Sequence, residues 1–274
     1  MRRILRSLTP APIRRLIRRW RGDAPKYGGM FAVYQRLDRK VYRRCDQIYE
    51  HAFRTAFEYL VGNGIYGDIA EFGTYRGYTA RIIARLIHEF RRPGRLWLYD
   101  SFAGLPEIEA EIDQLSYEVA VKKVWYPGQM AVEEGLVDKL ERDLARIIPH
   151  QQCRVIPGNF ADTLPNHLPD LPLALVHLDC GLYASTQFVL STLLERDLLQ
   201  DGALLMFSDF NSNRASPEMG DRKAFHDAFA GQRRFELGPF FPYGWNGQSF
   251  FVHERAKKLV NGQRSNDEYV EIRR

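Results

Sequence analysis

The apolar positions of this chain follow two periods in turn. Ile65–Phe72 mixes β-branched and aromatic residues and reads as a strand. Glycines at 73 and 77 interrupt it, and from Thr79 the residues Ile82, Ile83, Leu86 and Ile87 recur three and four apart, as on one face of a helix. Pro93–Gly94 ends that helix, and the alternation continues. Leu96–Tyr99 is a short strand closed by Asp100, and Arg154–Pro157 is a third. Leu173–Asp179 is a fourth, nearly all apolar as a strand covered on both faces should be. Ala203–Phe207 is a fifth, ending at Ser208–Asp209. Helical stretches fall at about Glu133–Ile148, Ala184–Leu194 and 221–230. Residues 31–62 carry a stripe of Val33, Leu37, Val41, Ile48, Phe53, Phe57 and Leu60, expected to cover the sheet or its cleft. Phe235–Phe241 and Gln248–His253 read as an antiparallel pair joined through residues 242–247, and the polar tail from about Ala256 as irregular chain. Strands alternating with helices predict an α/β fold with a mostly parallel sheet and an antiparallel last strand.

The N-terminus follows a different rule. Beyond Pro12, Ile13, Leu16, Ile17 and Trp20 make an apolar stripe at i, i+3, i+4, i+7, with Arg14, Arg15, Arg18 and Arg19 opposite: a short basic amphipathic helix. It lacks the apolar core and cleavage site of a secretory signal. The chain of 274 residues has a net charge of +5, but residues 1–21 hold eight arginines and no acid, so the remainder stands at −3. The basicity belongs to the arm, and a slightly acidic body argues against a broad nucleic-acid footprint. The arm fits docking on the body or on a second copy in a homodimer, contact with an anionic membrane surface through residues 1–22, or, less readily, a nucleic-acid arm. Three scattered cysteines, Cys45, Cys153 and Cys180, form neither a disulfide framework nor a zinc motif and fit a reducing, cytoplasmic compartment. No run of 18 apolar residues suggests a membrane span.

The candidate chemistry gathers at the strand ends, where open α/β sheets bind ligands. Glu71 closes the first strand, and Gly73 and Gly77 let the backbone turn sharply and approach a ligand. Tyr75 stands between them and no third glycine follows in place, so this is not the phosphate cradle of a dinucleotide enzyme, and a nicotinamide dehydrogenase fails on that pattern. A tight strand–helix turn with no ligand remains the plain alternative. Asp100, 27 residues after Gly73, ends the second strand, where a carboxylate can accept from both hydroxyls of a ribose. His177 and Asp179 share a face. Asp179 meets the cleft, and His177, one pleat deeper, reads as a satisfied core residue.

The E-x-G-x-x-x-G turn resembles the first motif of class I S-adenosylmethionine (SAM) methyltransferases. Four further segments make the resemblance specific: LYDSFAGLP at 98–106, GNFADTLP at 158–165, LDCGLYAST at 178–186 and GALLMFSDF at 202–210 are similar, in order, to segments of the macrocin O-methyltransferase family. The likeness covers roughly residues 60–253. It implies a Rossmann-like three-layer sandwich that transfers a methyl group from SAM to a sugar or glycan hydroxyl, with a lipid-linked acceptor if the arm meets a membrane. It implies a cofactor-binding set of Glu71, Gly73, Thr74, Tyr75, Gly77, Thr79, Asp100, Ser101, Gly158, Asn159, Phe160 and Asp179, with Gly158–Phe160 meeting the adenine. The arm and linker take residues 1–25 and the methyltransferase domain 26–274, with a lid-like insertion at about 103–150. In that insertion Trp125 and Tyr126 suggest an aromatic wall for a sugar.

A sugar hydroxyl needs a general base, a metal ion or both to act as nucleophile. In the family an Asp after strand four and two acids after strand five hold magnesium, and a second Asp serves as base. This chain keeps Asp179 and Asp209, read here as catalytic residues and as metal ligands. It has Ser208 in place of one acid and Gly181 in place of the base. Two carboxylates with a serine hydroxyl can still hold Mg2+, more weakly. Asp179 itself, Tyr183, Asn211 and His226 are the candidates to replace the base. The departures at 181 and 208 also admit a second reading, a catalytically impaired SAM-binding partner in a glycan-assembly complex.

Overall fold

The computed structural model describes residues 39–255, 257–260 and 263–269. The basic arm, its linker and the readings attached to them lie outside those residues. Helix α1 (Arg39–Gly62) leads into β1 (Asp68–Phe72), α2 (Tyr78–Glu89), β2 (Leu96–Asp100), α3 (Leu136–Ala145), β3 (Cys153–Pro157), β4 (Leu173–Leu178), α4 (Tyr183–Glu195), β5 (Leu199–Phe207), α5 (Gly220–Phe229), β6 (Phe235–Tyr243) and β7 (Gly247–Glu254). The seven strands form one sheet in the order β3-β2-β1-β4-β5-β7-β6. Strands β1 to β5 pair in parallel, and β7 runs antiparallel to both β5 and β6.

Both faces of the sheet are covered, so alternate residues of each central strand enter different cores. On one face Phe53, Phe57 and Leu60 of α1, Ile82, Ile83 and Leu86 of α2, and Leu140 and Leu144 of α3 pack on Ile69, Leu98, Leu175, Leu204 and Met206. On the other, Val189, Leu190 and Leu193 of α4 and Phe225 of α5 pack on Ala70, Phe72, Tyr99, Val176, Leu178, Leu205 and Phe207. Of the expected stripe, Phe53, Phe57 and Leu60 cover the sheet and Ile48 packs beside them, whereas Val33 and Leu37 and the side chain of Val41 lie outside what is described; His51 is exposed.

Strand β5 begins four residues before the expected Ala203 and β6 runs to Tyr243, and three further differences from the sequence reading bear on the architecture. Strand β1 begins at Asp68, not Ile65. The Asp68 carboxylate is 1% exposed and accepts from the backbone N–H of Arg95 (2.8 Å), Asp170 (3.1 Å) and Leu171 (3.3 Å) and from the Trp97 indole (2.8 Å). A polar residue enters the strand because it ties three chain segments at the sheet's lower edge. The span 103–150 divides in two. Its second half supplies α3, the crossover helix between β2 and β3, whose Leu136, Leu140 and Leu144 and the following Ile148 are buried. The remainder forms a shorter excursion with a helical turn at Glu111–Gln114 and a wider one at Tyr117–Val121. It is fastened to the body by Asp113, whose carboxylate accepts from the N–H groups of Tyr183 (2.7 Å) and Ala184 (3.0 Å) at the start of α4. The tail is not irregular throughout: β8 (Lys257–Val260) and β9 (Gln263–Tyr269) pair antiparallel.

Asp68→Ala removes the acceptor of four donors, three of them backbone, and is expected to destabilise the fold by about 3 kcal/mol or more. Urea unfolding of the two proteins checks this, and a loss below about 1 kcal/mol would show that water replaces the carboxylate.

Candidate active site

The sheet order reverses between β1 and β4, and the candidate residues collect at the carboxyl ends of the strands around that point. The ladder of hydrogen bonds runs past the strand ends and aligns them. Gly73 donates to the Tyr99 carbonyl (2.9 Å), Asp179 to Phe72 (2.8 Å), Gly158 to Asp100 (2.9 Å) and Ser208 to Leu178 (2.9 Å). Gly73 adopts φ 95°, and a Cβ there would stand 2.1 Å from the Asp179 carbonyl oxygen, so only glycine lets the first turn touch the end of β4.

Asp100 is half-buried beside that turn. Its Oδ2 accepts from the Tyr75 N–H and its Oδ1 from the Phe102 N–H, both at 2.6 Å. Each oxygen keeps a lone pair for a further donor. Burial raises its pKa, with Glu71 adding to the rise, and the backbone N–H groups of Tyr75, Phe102 and Thr74 oppose it. Thr74 is buried and its Oγ1 has no protein partner, and Glu71 is fully buried with Oε2 in the same state. Buried polar atoms normally have partners, and these two oxygens stand open beside the turn. Thr79 is buried in the first turn of α2, and Gly77, at φ 69°, lies against Leu140. Ser101 closes its own turn by donating to the Gly104 carbonyl (2.8 Å). Beyond β3, Gly158 sits against Asp100, Asn159 is exposed, and Phe160 meets the edge of Phe72 at 5.7 Å between ring centres. The twelve expected cofactor residues thus fall along one rim, from the β1 turn to the end of β3 and across to Asp179.

Asp179 and Asp209 end β4 and β5. Both carboxyl groups are raised in pKa, chiefly by burial, and the Asp209 charge adds to the rise at Asp179. Asp209 is held by Ser212 Oγ and Asn246 Nδ2, each at 2.9 Å from Oδ1. A third acid, unrecognised in the sequence except as a helix start, joins them. Asp221, 1% exposed at the start of α5, accepts from Thr186 Oγ1 (2.7 Å), and its Oδ2 has no partner. Burial and the nearby Asp209 push its pKa up to about 8. Its partner Thr186 closes the LDCGLYAST segment, but only the packing of α4 against α5 brings the two together.

Two expectations change. Ser208 is not a third metal ligand beside the carboxylates, because its hydroxyl is 2% exposed and bound to His177 Nε2 at 2.9 Å on the α1 face of the sheet. Among the described residues no group of three or more His, Cys, Asp or Glu side chains is placed to hold a metal ion. The candidates for the missing base also narrow. The Tyr183 hydroxyl donates to Asp227 (2.8 Å) and its pKa is pushed up to about 12, chiefly by burial. Asn211 accepts from Arg222 (2.7 Å), and His226 is exposed on α5. Asp179 and Asp209 remain. At Gly181, φ 71°, an added Cβ would lie 3.0 Å from the Trp125 ring, so the excursion after β2 covers the position beside Asp179 with an aromatic plane. That ring and Tyr126 also line a cavity of about 450 Å³ with Ile108, Val119 and Pro127.

The family model of macrocin O-methyltransferase (TylF) matches residues 29–228. This chain belongs to the macrocin O-methyltransferase family. A relative from Streptomyces olivaceus, named 8-demethyl-8-(2,3-dimethoxy-alpha-L-rhamnosyl)-tetracenomycin-C 4'-O-methyltransferase, is 31% identical over 157 residues, 56% of each chain. Demethyldecarbamoylnovobiocin O-methyltransferase of Streptomyces niveus is 30% identical over 142 residues, 51% of this chain and 52% of that one. The chain thus aligns with about half the length of these curated relatives. Among solved structures, the calicheamicin methyltransferase CalS11 superposes with a TM-score of 0.61 at 20% identity, over 89% of this chain and 87% of its own, which shows a shared fold.

Because the folded-state pKa of Asp221 lies above the roughly 4 of an unfolded aspartate, the unfolded chain sheds this proton first. The stability that protonated Asp221 contributes is complete below about pH 4 and is lost as the pH rises towards about 8. Asp221→Asn, which still accepts from Thr186 and cannot ionise, is expected to raise the thermal midpoint near pH 8 and leave it nearly unchanged near pH 4. Calorimetry at both pH values checks this, and equal shifts would remove Asp221 as the source.

Proposed function

We propose that this protein transfers the methyl group of SAM to a sugar hydroxyl. The observation that carries the reading is the Asp100 carboxylate, held by two backbone N–H groups next to a glycine turn in a chain of this family, with the buried unpartnered atoms of Glu71 and Thr74 alongside. Asp100 takes the ribose hydroxyls, Glu71 and the Gly73–Gly77 turn the amino-acid end, and Gly158–Phe160 the adenine. Bound there, the cofactor supplies the electrophilic methyl group, and the protein aligns the acceptor and removes its proton. The curated relatives support a sugar acceptor, since one is named for methylation of a rhamnosyl group. Trp125, over Gly181, offers an aromatic plane for the apolar face of such a ring.

Asp179 and Asp209 carry the proton transfer. Two carboxyl groups with raised pKa values at adjacent strand ends, both half-buried, favour a shared proton, and the ionised member acts as base. Magnesium is commonly held by one or two carboxylates and waters, so the same pair would hold that ion, which would supply Lewis-acid polarisation of the acceptor oxygen. The departures at 181 and 208 favour one other reading, a SAM-binding partner protein without turnover. Attachment of residues 1–22 to the inner face of the membrane, a lipid-linked acceptor and a homodimer extend the proposal on the strength of the arm's eight arginines and its apolar stripe, and a cytoplasmic location on the strength of the scattered cysteines.

Two measurements test this. Purified protein with SAM and p-nitrophenyl α-L-rhamnopyranoside is expected to release S-adenosylhomocysteine, and Asp100→Ala to weaken SAM binding by about 1–3 kcal/mol. Binding without turnover on any of a panel of glycosides would select the partner-protein reading, while equal SAM affinity of wild type and Asp100→Ala would remove Asp100 from the site. In the pH profile, kcat/KM should fall on acidification through an apparent pKa above the usual carboxylate range, since the base must be ionised. Asp179→Asn should lower kcat by at least about 100-fold. Added magnesium should move that limb to lower pH if the ion sits on the pair, and an unmoved limb with Asp179→Asn inactive would leave the base role alone.

A further inference from the structure

Three buried polar side chains stand in a row across the sheet, and methyl transfer as described leaves two of them without a role. Glu71 and His177 are register partners on β1 and β4. Ser208 lies two residues beyond Met206, the partner of His177 on β5, and so faces the same side. None is more than 2% exposed. His177 Nδ1 is 2.9 Å from Glu71 Oε1 and Nε2 is 2.9 Å from Ser208 Oγ, while the Tyr49 hydroxyl reaches Ser208 Oγ at 3.5 Å. The ring of Phe53 packs edge-on against the imidazole at 5.0 Å.

With Glu71 ionised and the imidazole neutral, the donors and acceptors fall into a self-consistent order. A carboxylate only accepts, so Nδ1–H donates to Glu71; a neutral imidazole then accepts at Nε2, and the serine hydroxyl donates to it. Ser208 in turn accepts from Tyr49. Every proton in the row points towards Glu71, and the row ends with one carboxylate oxygen, Oε2, that is buried and has no donor. Glu71 is two residues before the Gly73 turn, where Thr74 Oγ1 is orphaned too. A buried carboxylate oxygen left bare is unfavourable by more than a neutral group would be. A cationic donor arriving at the turn would satisfy it.

We propose that His177 is a positioning residue for the cofactor: it clamps one oxygen of Glu71 so that the other meets the ammonium group of the SAM amino-acid end. This rests on the SAM reading above. Ser208 belongs to the same device, because its hydroxyl fixes the tautomer that makes Nδ1 a donor. The imidazole touches neither the acceptor nor the methyl group, and its role is to pre-orient the one anionic side chain at that end of the site.

The test compares two ligands. SAM carries the amino-acid end, and 5'-methylthioadenosine has the same nucleoside without it. Calorimetric titration of the full-length protein should give measurable affinity for both. His177→Phe keeps the packing on Phe53 and removes both hydrogen bonds. It should weaken SAM by about tenfold to a hundredfold while the affinity for 5'-methylthioadenosine stays unchanged. His177→Asn, whose amide can donate to Glu71, should recover most of the loss. A general disturbance of the core would weaken both ligands by the same factor, and that result, or unchanged SAM affinity in His177→Phe, overturns the proposal. If His177→Phe does not fold, Ser208→Ala carries the test through a severalfold loss confined to SAM, and no change there also overturns it. Wild-type protein that binds neither compound would sink the SAM reading and this inference with it, whereas wild type binding both with insensitive variants sinks this inference alone.

Discussion

The contact on which the site depends is that between Gly73 and the end of β4. The first turn can leave the sheet only by passing against the Asp179 carbonyl, at a distance no side chain permits. That passage fixes the spacing of everything beside it. The turn carries Tyr75 to Asp100 on one flank, and the Phe72 carbonyl holds the Asp179 N–H on the other. A methyl or larger group at position 73 would push the strand ends apart, and the residues of β2 and β4 would no longer face a common space. The reversal of strand order supplies the crevice, and this glycine sets how narrow its floor is.

The same rim gathers several carboxyl groups, and the chain manages them by different means. Asp100 is stabilised by backbone N–H groups, Asp209 by Ser212 and Asn246, and Asp221 by Thr186. Burial raises the pKa of all three, so the donors offset only part of the desolvation. The acids at β4, β5 and α5 therefore hold protons more tightly than surface acids do. The excursion after β2 adds to this environment, because Lys122 lowers and Glu118 raises the Asp209 value, and the two are bound to each other at 2.7 Å.

Much of the fold follows from periodicity. The central strands are short, apolar and bounded by glycine or acid, and burial on both faces makes them stand out from the amphipathic helices. The errors came where a polar residue serves a tertiary contact. Asp68 sits inside what reads as a continuous strand, because its role lies in Arg95, Trp97, Asp170 and Leu171, far along the chain. Residues 136–148 read as part of an insertion, although their leucines repeat at helical spacing, because the loop before them disguises the crossover. At the site, Asp100 and Asp179 are visible from their strand ends. Ser208 is not: its position beside Asp209 suggests a ligand, and only the register of β4 against β5 shows that it turns to His177. Asp221 is hidden for the same reason, since its partner Thr186 lies on another helix.

The fastening of the excursion by Asp113 bears on how the site opens. A loop over a cleft is usually pictured as a flap with a hinge at each end. Here the loop supplies the carboxylate that satisfies the first N–H groups of α4, so it serves as that helix's end cap. Swinging it away would bare Tyr183 and Ala184 and cost about 0.5–2 kcal/mol. The first turn of α4 also holds Thr186, and through it Asp221. Entry of a ligand by lifting the loop would thus be felt as fraying of a helix and as a disturbance of a buried acid. A ligand that entered along the aromatic face of Trp125 would leave the cap in place.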